Sequence, residues 1–412
     1  MTALTTARAE NLPGYALFAA MLSSAGLPIS SHAPKFYVDE YGVSLAALGG
    51  VLFALRLFDF VQDPALGWLS GRLRTARGRA VALTALAMGL AMIGLFAVAP
   101  PVPPLVWFAL TLTVLFTGFS FLTINFYAQG VRKAERLGET GHVRLAAWRE
   151  TGALLGVCLA AVAPTILAFT GAPFAVFAAG FAGLAVLAAF AMRREWAAPA
   201  AQEPTRFREV LADRTARRLL IVALVNATPV AVTSTLFLFF VESRLAAPGW
   251  EGPLLLLFFF AAALSAPLWG KAAGRFGAKP ALVTGMVLSI VSFGFAALLG
   301  AGDTAAFAVI CLASGAALGA DMTLLPAIFA ARMARIAPEA GEAFGLWSFV
   351  SKFTLAFAAV TLLPLLEASG FQTGTSNPPA ALLMLTILYA LVPCALKLVA
   401  IALFLLTPIE ET

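Results

Sequence analysis

Apolar residues are grouped along this chain in long blocks that short polar connections separate. Twelve blocks are about 20 residues long, the length that an α-helix needs to cross roughly 30 Å of hydrocarbon. The pattern therefore predicts an all-α membrane protein with 12 transmembrane helices. The predicted spans are residues 12–31, 44–70, 80–99, 105–129, 145–169, 173–192, 219–241, 253–270, 281–300, 305–329, 344–366 and 380–406.

A polar, arginine-rich stretch between the sixth and seventh spans predicts two six-helix halves. We place the first half at residues 1–192, a cytoplasmic linker at 193–218 and the second half at 219–412. The halves share a motif at equal spacing, and its two copies are Asp63-Pro64-Ala-Leu-Gly67 and Ala266-Pro267-Leu-Trp-Gly270. Because internal repeats are typical of secondary transporters, the repeat predicts two pseudo-symmetric halves with a solute site near the membrane midplane.

Basic residues are concentrated in the even-numbered connections, so the positive-inside rule predicts that both termini and the linker are cytoplasmic. Charged residues make up only 12% of the chain, about half the share in a soluble protein. This composition excludes a soluble protein, and the net charge of +6 does not indicate a nucleic-acid partner. We expect a multi-pass protein of the inner (cytoplasmic) membrane, and the first 12 residues predict no cleaved signal peptide.

Two acidic residues lie inside the second predicted span. In a helix, Asp59 and Asp63 are one turn apart on one face, and Arg56 precedes Asp59 on the same side. An ionised group at mid-membrane depth costs about 2.5–3.5 kcal/mol on insertion scales, so such groups usually have a function. Acids in this position typically hold a cation or a proton on a transport route. Since the repeat has Ala262 and Ala266 at the equivalent positions, only the first half is predicted to bind the cation.

Polar side chains elsewhere in the spans are candidates for binding the cation or a solute. On the fourth span, Ser120, Thr123 and Tyr127 share a face that would line a cavity, although Ser and Thr often bond only to the helix backbone. By location, Gln62, Ser120 and Thr123 are the candidate cation ligands besides the two aspartates. Asn226 in the seventh span carries a similar, weaker signal.

Five further charged residues lie in later spans, among them the adjacent pair Arg149 and Glu150. Arg149 opens the fifth span, where it either takes part in function or snorkels to the interface. Lys352 is well inside the eleventh span, and we assign it a function with the acids of the second. Lys397 in the twelfth span is expected to snorkel or to cap a kink near Pro393, and Asp321 in the tenth allows both a structural and a functional interpretation.

One run of the second span resembles the signature of a known transporter family. Arg56-x-x-Asp59-x-x-x-Asp63-Pro64-x-x-Gly67 is similar to the signature of the glycoside–pentoside–hexuronide:cation symporters, the melibiose permease group of the major facilitator superfamily. Further likenesses are Phe36-Tyr-Val-Asp39, Thr235-Leu-Phe-Leu-Phe-Phe-Val-Glu242, Gly319-Ala-Asp321 and Gly345-Leu-Trp-Ser-Phe-Val-Ser-Lys352. The resemblance implies a major facilitator-type fold and cation-coupled symport of a small organic solute by alternating access.

The resemblance also implies roles for individual residues. Asp59 and Asp63 would coordinate Na⁺ or bind H⁺, and Lys352 would neutralise them when the cation leaves, in a charge network with Arg56. From location and resemblance together, the predicted solute-binding residues are Ser23, Tyr127, Arg149, Asn226, Trp347 and Lys352. We expect no cofactor beyond the coupling ion and a protein that functions as a monomer.

Two departures from the family bear on the solute. The melibiose permease has an acid where this chain has Thr123, and a sugar-binding acid where an ungapped alignment gives Ser23. Without two carboxylates that accept hydrogen bonds from sugar hydroxyls, a galactoside-type solute is less favoured. The family implies a sugar or sugar-like solute, and a less polar, anionic or amphipathic solute becomes an alternative.

Three alternatives to the symporter are an uncoupled carrier, a membrane enzyme and a receptor. An uncoupled facilitator or exporter of the same fold would use the acids only to stabilise one conformation. A membrane enzyme needs a nucleophile and a base or a metal cluster in one pocket, whereas this chain has two histidines and three scattered cysteines. A receptor would need a signalling domain, for which the linker is too short. The sequence therefore predicts a transporter and not an enzyme.

Overall fold

Helices dominate the computed structural model, which describes residues 11–26, 29, 32–138, 140–196, 207–336, 340–372 and 377–409. In chain order they are α1 (Leu12–Ser24), α2 (Ala33–Tyr41), α3 (Leu45–Arg72), α4 (Arg77–Phe96), α5 (Pro104–Glu135), α6 (Gly141–Ile166), α7 (Pro173–Met192), α8 (Phe207–Ala212), α9 (Arg214–Phe239), α10 (Glu251–Phe276), α11 (Ala278–Ala296), α12 (Thr304–Ile336), α13 (Gly341–Ala368), α14 (Pro379–Thr386) and α15 (Val392–Leu405). A π-helical turn, Phe240–Arg244, extends α9, and a second, Ile387–Leu391, joins α14 to α15. The described residues contain no β-strand.

Nine of the described helical segments are long and apolar enough to cross a membrane, and each matches a predicted span. The second and eleventh predicted spans are α3 and α13, which are 28 residues long and contain the charged positions discussed above. The first predicted span begins as α1, whereas its residues 27, 28, 30 and 31 lie outside the described residues, as does the part of the linker from 197 to 206. The predicted all-α membrane architecture is confirmed.

The chain packs as two compact units, each with its own aromatic core. The first comprises Met1–Val210 and Met333–Phe349, and the second comprises Leu211–Arg332 and Val350–Thr412. α13 therefore begins in the first unit and continues in the second. The boundaries proposed above for the two halves, at residues 192 and 219, stay a prediction.

Close glycine contacts position α6 against α1 in the first unit. A Cβ atom at Gly152 would lie 2.1 Å from the carbonyl oxygen of Ala16, and one at Gly156 would lie 2.3 Å from that of Ala20. Small residues at this four-residue spacing let two membrane helices approach until their backbones touch. Arg149 lies three residues before Gly152 and so belongs to the same packed face of α6.

An acidic cap fixes the start of α9 in the second unit. Asp213 accepts a hydrogen bond from the Ala216 amide at 2.7 Å, and Arg332 of α12 donates to both of its carboxylate oxygens. Because these bonds favour the ionised carboxylate, the Arg332 guanidinium holds the pKa of Asp213 below its usual range. The cap ties the start of α9 to the end of α12.

Candidate functional site

Asp59 and Asp63 are fully buried on α3, and both have an exposed fraction of 0%. Their four-residue spacing puts them on one face of a helix that continues through Pro64. Proline has no amide hydrogen to donate, so the carbonyl of Phe60 loses its usual helical partner. Two carboxylates and a backbone oxygen are therefore grouped within one turn of α3.

A hydrogen-bonded chain connects Asp59 to the neighbouring helix α5. The Gln62 amide donates to Oδ1 of Asp59, and the Thr117 hydroxyl donates to Oε1 of Gln62 at 2.9 Å. Gln62 is buried, with 6% of its surface exposed. The amide is thereby oriented with its donor toward the carboxylate, which fixes the position of Asp59.

Asp63 is held from a third helix, the first turns of α13. The Ser348 hydroxyl donates to Oδ2 of Asp63 at 2.6 Å. The contact forms because glycines bring the two helices together: a Cβ atom at Gly345 would lie 3.1 Å from the Asp63 carbonyl oxygen, and one at Gly67 would lie 3.0 Å from the Gly341 carbonyl oxygen. Gly341, Gly345 and Ser348 share one face of α13, and this face lies on α3.

The predicted cation ligands on α5 are placed differently from one another. Ser120 is fully buried, while the Thr123 hydroxyl is buried and has no hydrogen-bond partner among the described residues. Asn125 accepts a hydrogen bond from Ser70 of α3 at 2.8 Å and donates to its own helix backbone. Asn125 and Ser70 thus connect α3 and α5, and Thr123 is the α5 residue with a hydroxyl available to a ligand.

Arg149, Glu150 and Tyr127 form a second buried cluster in the first unit. The Arg149 Nε donates to Glu150 at 2.7 Å, the Tyr127 hydroxyl donates to the same carboxylate at 3.0 Å, and the guanidinium lies 3.8 Å from the Tyr127 ring centroid. Only 5% of Arg149 is exposed, so it does not snorkel to an interface. Its Nη2 is buried and has no hydrogen-bond partner among the described residues. Phe344 of α13 packs 5.2 Å from the Tyr127 ring and adds an apolar wall.

The remaining predicted site residues divide between the two units. Ser23 of α1 and Trp347 of α13 belong to the first unit and are half-buried. Lys352 and Asn226 belong to the second unit, where Lys352 is half-buried and Asn226 is buried. The side chain of Arg56 lies outside the described part of the structure.

In the second unit, Asn226 accepts a hydrogen bond from a buried ion pair that the sequence did not predict. Lys397 of α15 donates to Asn226 of α9 at 2.7 Å and to Asp321 of α12. The expectation that Lys397 snorkels or caps a kink is wrong, because only 1% of it is exposed and its ammonium group faces Asp321. Oδ1 of Asp321 is buried with no hydrogen-bond partner among the described residues. We call these three residues the second-unit triad.

Sequence reasoning gave no role to three residues that contact the predicted site. Ser348 lies in the run from Gly345 to Lys352, and the spacing of Gly341, Gly345 and Ser348 was an available signal for a small-residue packing face. Thr117 lies one turn before Ser120 on α5, so extending that polar face would have found it. Glu150 adjoins Arg149, but no spacing rule shows that Tyr127 bonds to it.

The apolar helices and the charged groups buried among them define a polytopic membrane protein. A family model described as "MFS/sugar transport protein" matches residues 12–411, and the chain belongs to that family. No curated protein sequence matches this chain.

Solved structures with a similar fold include a bacterial homologue of the iron transporter ferroportin in its outward-facing state. That structure has a TM-score of 0.74 and 15% sequence identity, and the match covers 96% of this chain and 98% of the homologue. The same homologue with soaked iron has a TM-score of 0.72 at the same identity and coverage. At this identity the likeness shows the fold alone. Among the described residues of the present chain, no group of three or more His, Cys, Asp or Glu side chains is placed to hold a metal ion.

Proposed function

We propose that the protein is a secondary active transporter that couples Na⁺ or H⁺ to the movement of a small organic solute, as in the melibiose permease group. Membership of a family of sugar-type transporters supports the solute class. Alternating access would expose the bound cation and solute to one side of the membrane at a time. Coupling requires that the cation bind one conformation better than the other, and so shift the conformational equilibrium.

The complete burial of both Asp59 and Asp63 within a membrane helix is the observation that carries the coupling proposal. Ionised carboxylates are costly to bury unless a charge or a set of hydrogen bonds stabilises them. The oxygens of Asp59, Asp63, the Phe60 carbonyl and Ser348 are of the hard type that alkali cations prefer, and protonation would lower the burial cost in the same way. We propose the α3 acids as the cation site.

The cluster around Arg149 supports the solute half of the proposal. Binding pockets combine aromatic walls with a few well-placed polar groups, which here are the Tyr127 and Phe344 rings and the free donor of Arg149. A cationic donor suits a carboxylate or a hydroxyl of the solute. We therefore propose a hydroxylated or anionic solute at Tyr127 and Arg149.

Sodium dependence of thermal stability tests the coupling proposal directly. The purified protein in detergent is titrated with NaCl at constant ionic strength, with KCl as the balancing salt, at two pH values. Because a ligand that binds only the folded state stabilises it, we expect a saturable rise in Tm, equivalent to about 2.7 kcal/mol at one hundred times Kd. A Tm that follows pH but not Na⁺ would assign the proton as the coupling ion. A Tm that follows neither would favour the uncoupled carrier.

Arg149→Lys should weaken solute binding while it leaves the sodium response unchanged. The probes are D-glucuronate, which is anionic, and melibiose, which is neutral, each added in saturating Na⁺ and followed by Tm. Lysine keeps the positive charge, but it has no planar guanidinium to stack on the Tyr127 ring and no Nη2 donor. Loss of a charge-assisted hydrogen bond worth about 1.5–3 kcal/mol predicts at least a tenfold higher Kd.

Arg193→Lys is the matched control for this substitution. Arg193 also lies over an aromatic ring, 3.5 Å from the Phe190 centroid, but it is exposed. Solute binding by the control should equal that of the wild type. If neither probe raises the Tm of the wild type, or if both arginine variants lose binding equally, the proposed solute site is refuted.

A further inference from the structure

An open apolar cavity of about 630 Å³ lies on the surface of the first unit, between α3, α4 and α5. Its walls include Leu66 and Leu69 of α3, Leu83 of α4, and Val114 and Phe121 of α5. We call it the α3–α5 groove. It is distinct from the Arg149 cluster, none of whose side chains lines it.

The groove offers no free polar group although three threonines line it. Thr84 donates to the Ala80 carbonyl at 2.8 Å, Thr113 to the Ala109 carbonyl at 2.7 Å, and Thr117 to Gln62 at 2.9 Å. With these hydroxyls satisfied, the groove favours a hydrocarbon ligand over a polar solute. Large apolar side chains on its rim, including Leu83 at 67% exposure, face outward from a membrane-spanning unit.

One end of the groove lies at a strongly basic connection. Leu73 and Ala80 both line the groove, and the chain between them contains Arg74, Arg77 and Arg79, with Arg72 directly before. Arg72 and Arg79 are exposed, and Arg72 lies over the Trp68 ring at 4.1 Å. From residue 64 to residue 134 the chain contains no acidic residue, so neither α4 nor this connection contributes a carboxylate beside Arg72 and Arg79.

We propose that the α3–α5 groove binds one acyl chain of an anionic phospholipid whose headgroup is held by Arg72 and Arg79. The apolar walls match the acyl chain, and the basic end matches the anionic headgroup. The groove also has a suitable depth: its α4 wall runs from Ala80 to Ala87, about 10 Å along the helix axis. The positive-inside pattern assigns this end to the cytoplasmic leaflet, where anionic lipids attract basic residues.

The test compares stabilisation of the purified protein by two lipids with the same dioleoyl chains. Micelles of fixed detergent receive rising mole fractions of phosphatidylglycerol or phosphatidylcholine, and Tm is followed for each. We expect half-maximal stabilisation by phosphatidylglycerol at a much lower mole fraction. Arg72→Gln with Arg79→Gln should reduce this preference about fivefold for each arginine, the equivalent of about 1 kcal/mol.

Matched variants distinguish lipid binding in the groove from a general attraction of anionic lipid to a basic surface. Arg275 follows the second copy of the repeat as Arg72 follows the first, and it is exposed, so Arg275→Gln should keep the preference. Val114→Trp, which fills the groove, should weaken stabilisation by both lipids. Leu187→Trp, at an exposed position of α7 outside the groove, should leave the stabilisation by both lipids unchanged.

Three results would overturn the proposal. The first is equal stabilisation of the wild type by the two lipids. The second is an equal loss of preference in Arg275→Gln, which would indicate attraction to any basic connection. The third is the same stabilisation by sn-glycerol 3-phosphate alone, which would identify a soluble phosphate as the ligand. Since Arg72 and Arg79 are exposed, their variants should fold as the wild type does, and each result is interpretable.

Discussion

Asp59→Asn is expected to abolish the sodium response of the protein. The substituted amide is nearly the same size and can still accept the hydrogen bond from Gln62. It removes one negative charge from a fully buried site.

The expected loss of affinity is large because the carboxylate would be a direct ligand of the cation. Removing one partner of a buried charge pair costs about 2–5 kcal/mol in binding, which predicts at least a thirtyfold higher Kd for Na⁺. The measurement is the same NaCl titration of Tm, with KCl as the balancing salt. Asp63→Asn should behave alike, since the amide oxygen can still accept from Ser348.

Asp303→Asn serves as the control for a general effect of salt on acidic residues. Asp303 is an exposed acid in the connection before α12, and its substitution should leave the sodium response intact. A normal sodium response in Asp59→Asn would remove the α3 acids from the coupling mechanism. A response lost equally in Asp303→Asn would show that sodium acts by screening surface charge rather than by binding.

The helical spans and the shared face of Asp59 and Asp63 could be predicted from sequence because both depend on local periodicity. Spans follow from the length of an apolar block, and the face of a helix follows from residue spacing. The helix through Pro64 keeps the predicted register, so both acids are buried together. Their function as a cation site stays a proposal.

Contacts between helices that are distant in sequence could not be predicted in the same way. Ser348 reaches Asp63 across 285 positions of sequence because Gly341, Gly345 and Gly67 let two helices touch. Spacing within one helix carries no information on which other helix it meets. Lys397 was misjudged for the same reason, since it was expected to snorkel or to cap a kink near Pro393, whereas Asp321 and Asn226 on two other helices surround its ammonium group.

Breaking the second-unit triad on one side should destabilise the protein severely. Lys397→Met leaves the Asp321 carboxylate without its ammonium partner, in a site where 8% of Asp321 is exposed and its Oδ1 already lacks a described hydrogen bond. Asp321→Asn leaves the Lys397 ammonium without its counter-charge. Removing one partner of a buried ion pair costs about 3–5 kcal/mol. We expect a strongly lowered Tm and a reduced monodisperse fraction on size exclusion for each single variant.

The double variant Lys397→Met/Asp321→Asn decides whether charge pairing causes this loss. With both charges gone, the desolvation cost disappears, so the double variant should be more stable than either single variant, with a coupling energy of at least about 2 kcal/mol. Lys271→Met, an exposed lysine of α10, should change stability by less than about 0.5 kcal/mol. Additive losses in the double variant would instead mean that each side chain matters through packing alone.

The same double variant tests the asymmetry that the internal repeat predicts. Ala262 and Ala266 occupy the positions equivalent to Asp59 and Asp63 and are fully buried, and the triad uses its own lysine as the cation. The Lys397 ammonium group lies between Asp321 and Asn226 and neutralises the Asp321 carboxylate without a mobile ion. The double variant should therefore keep the sodium response of the wild type. Loss of that response in a well-folded double variant would extend the coupling machinery into the second unit and contradict a cation site confined to α3.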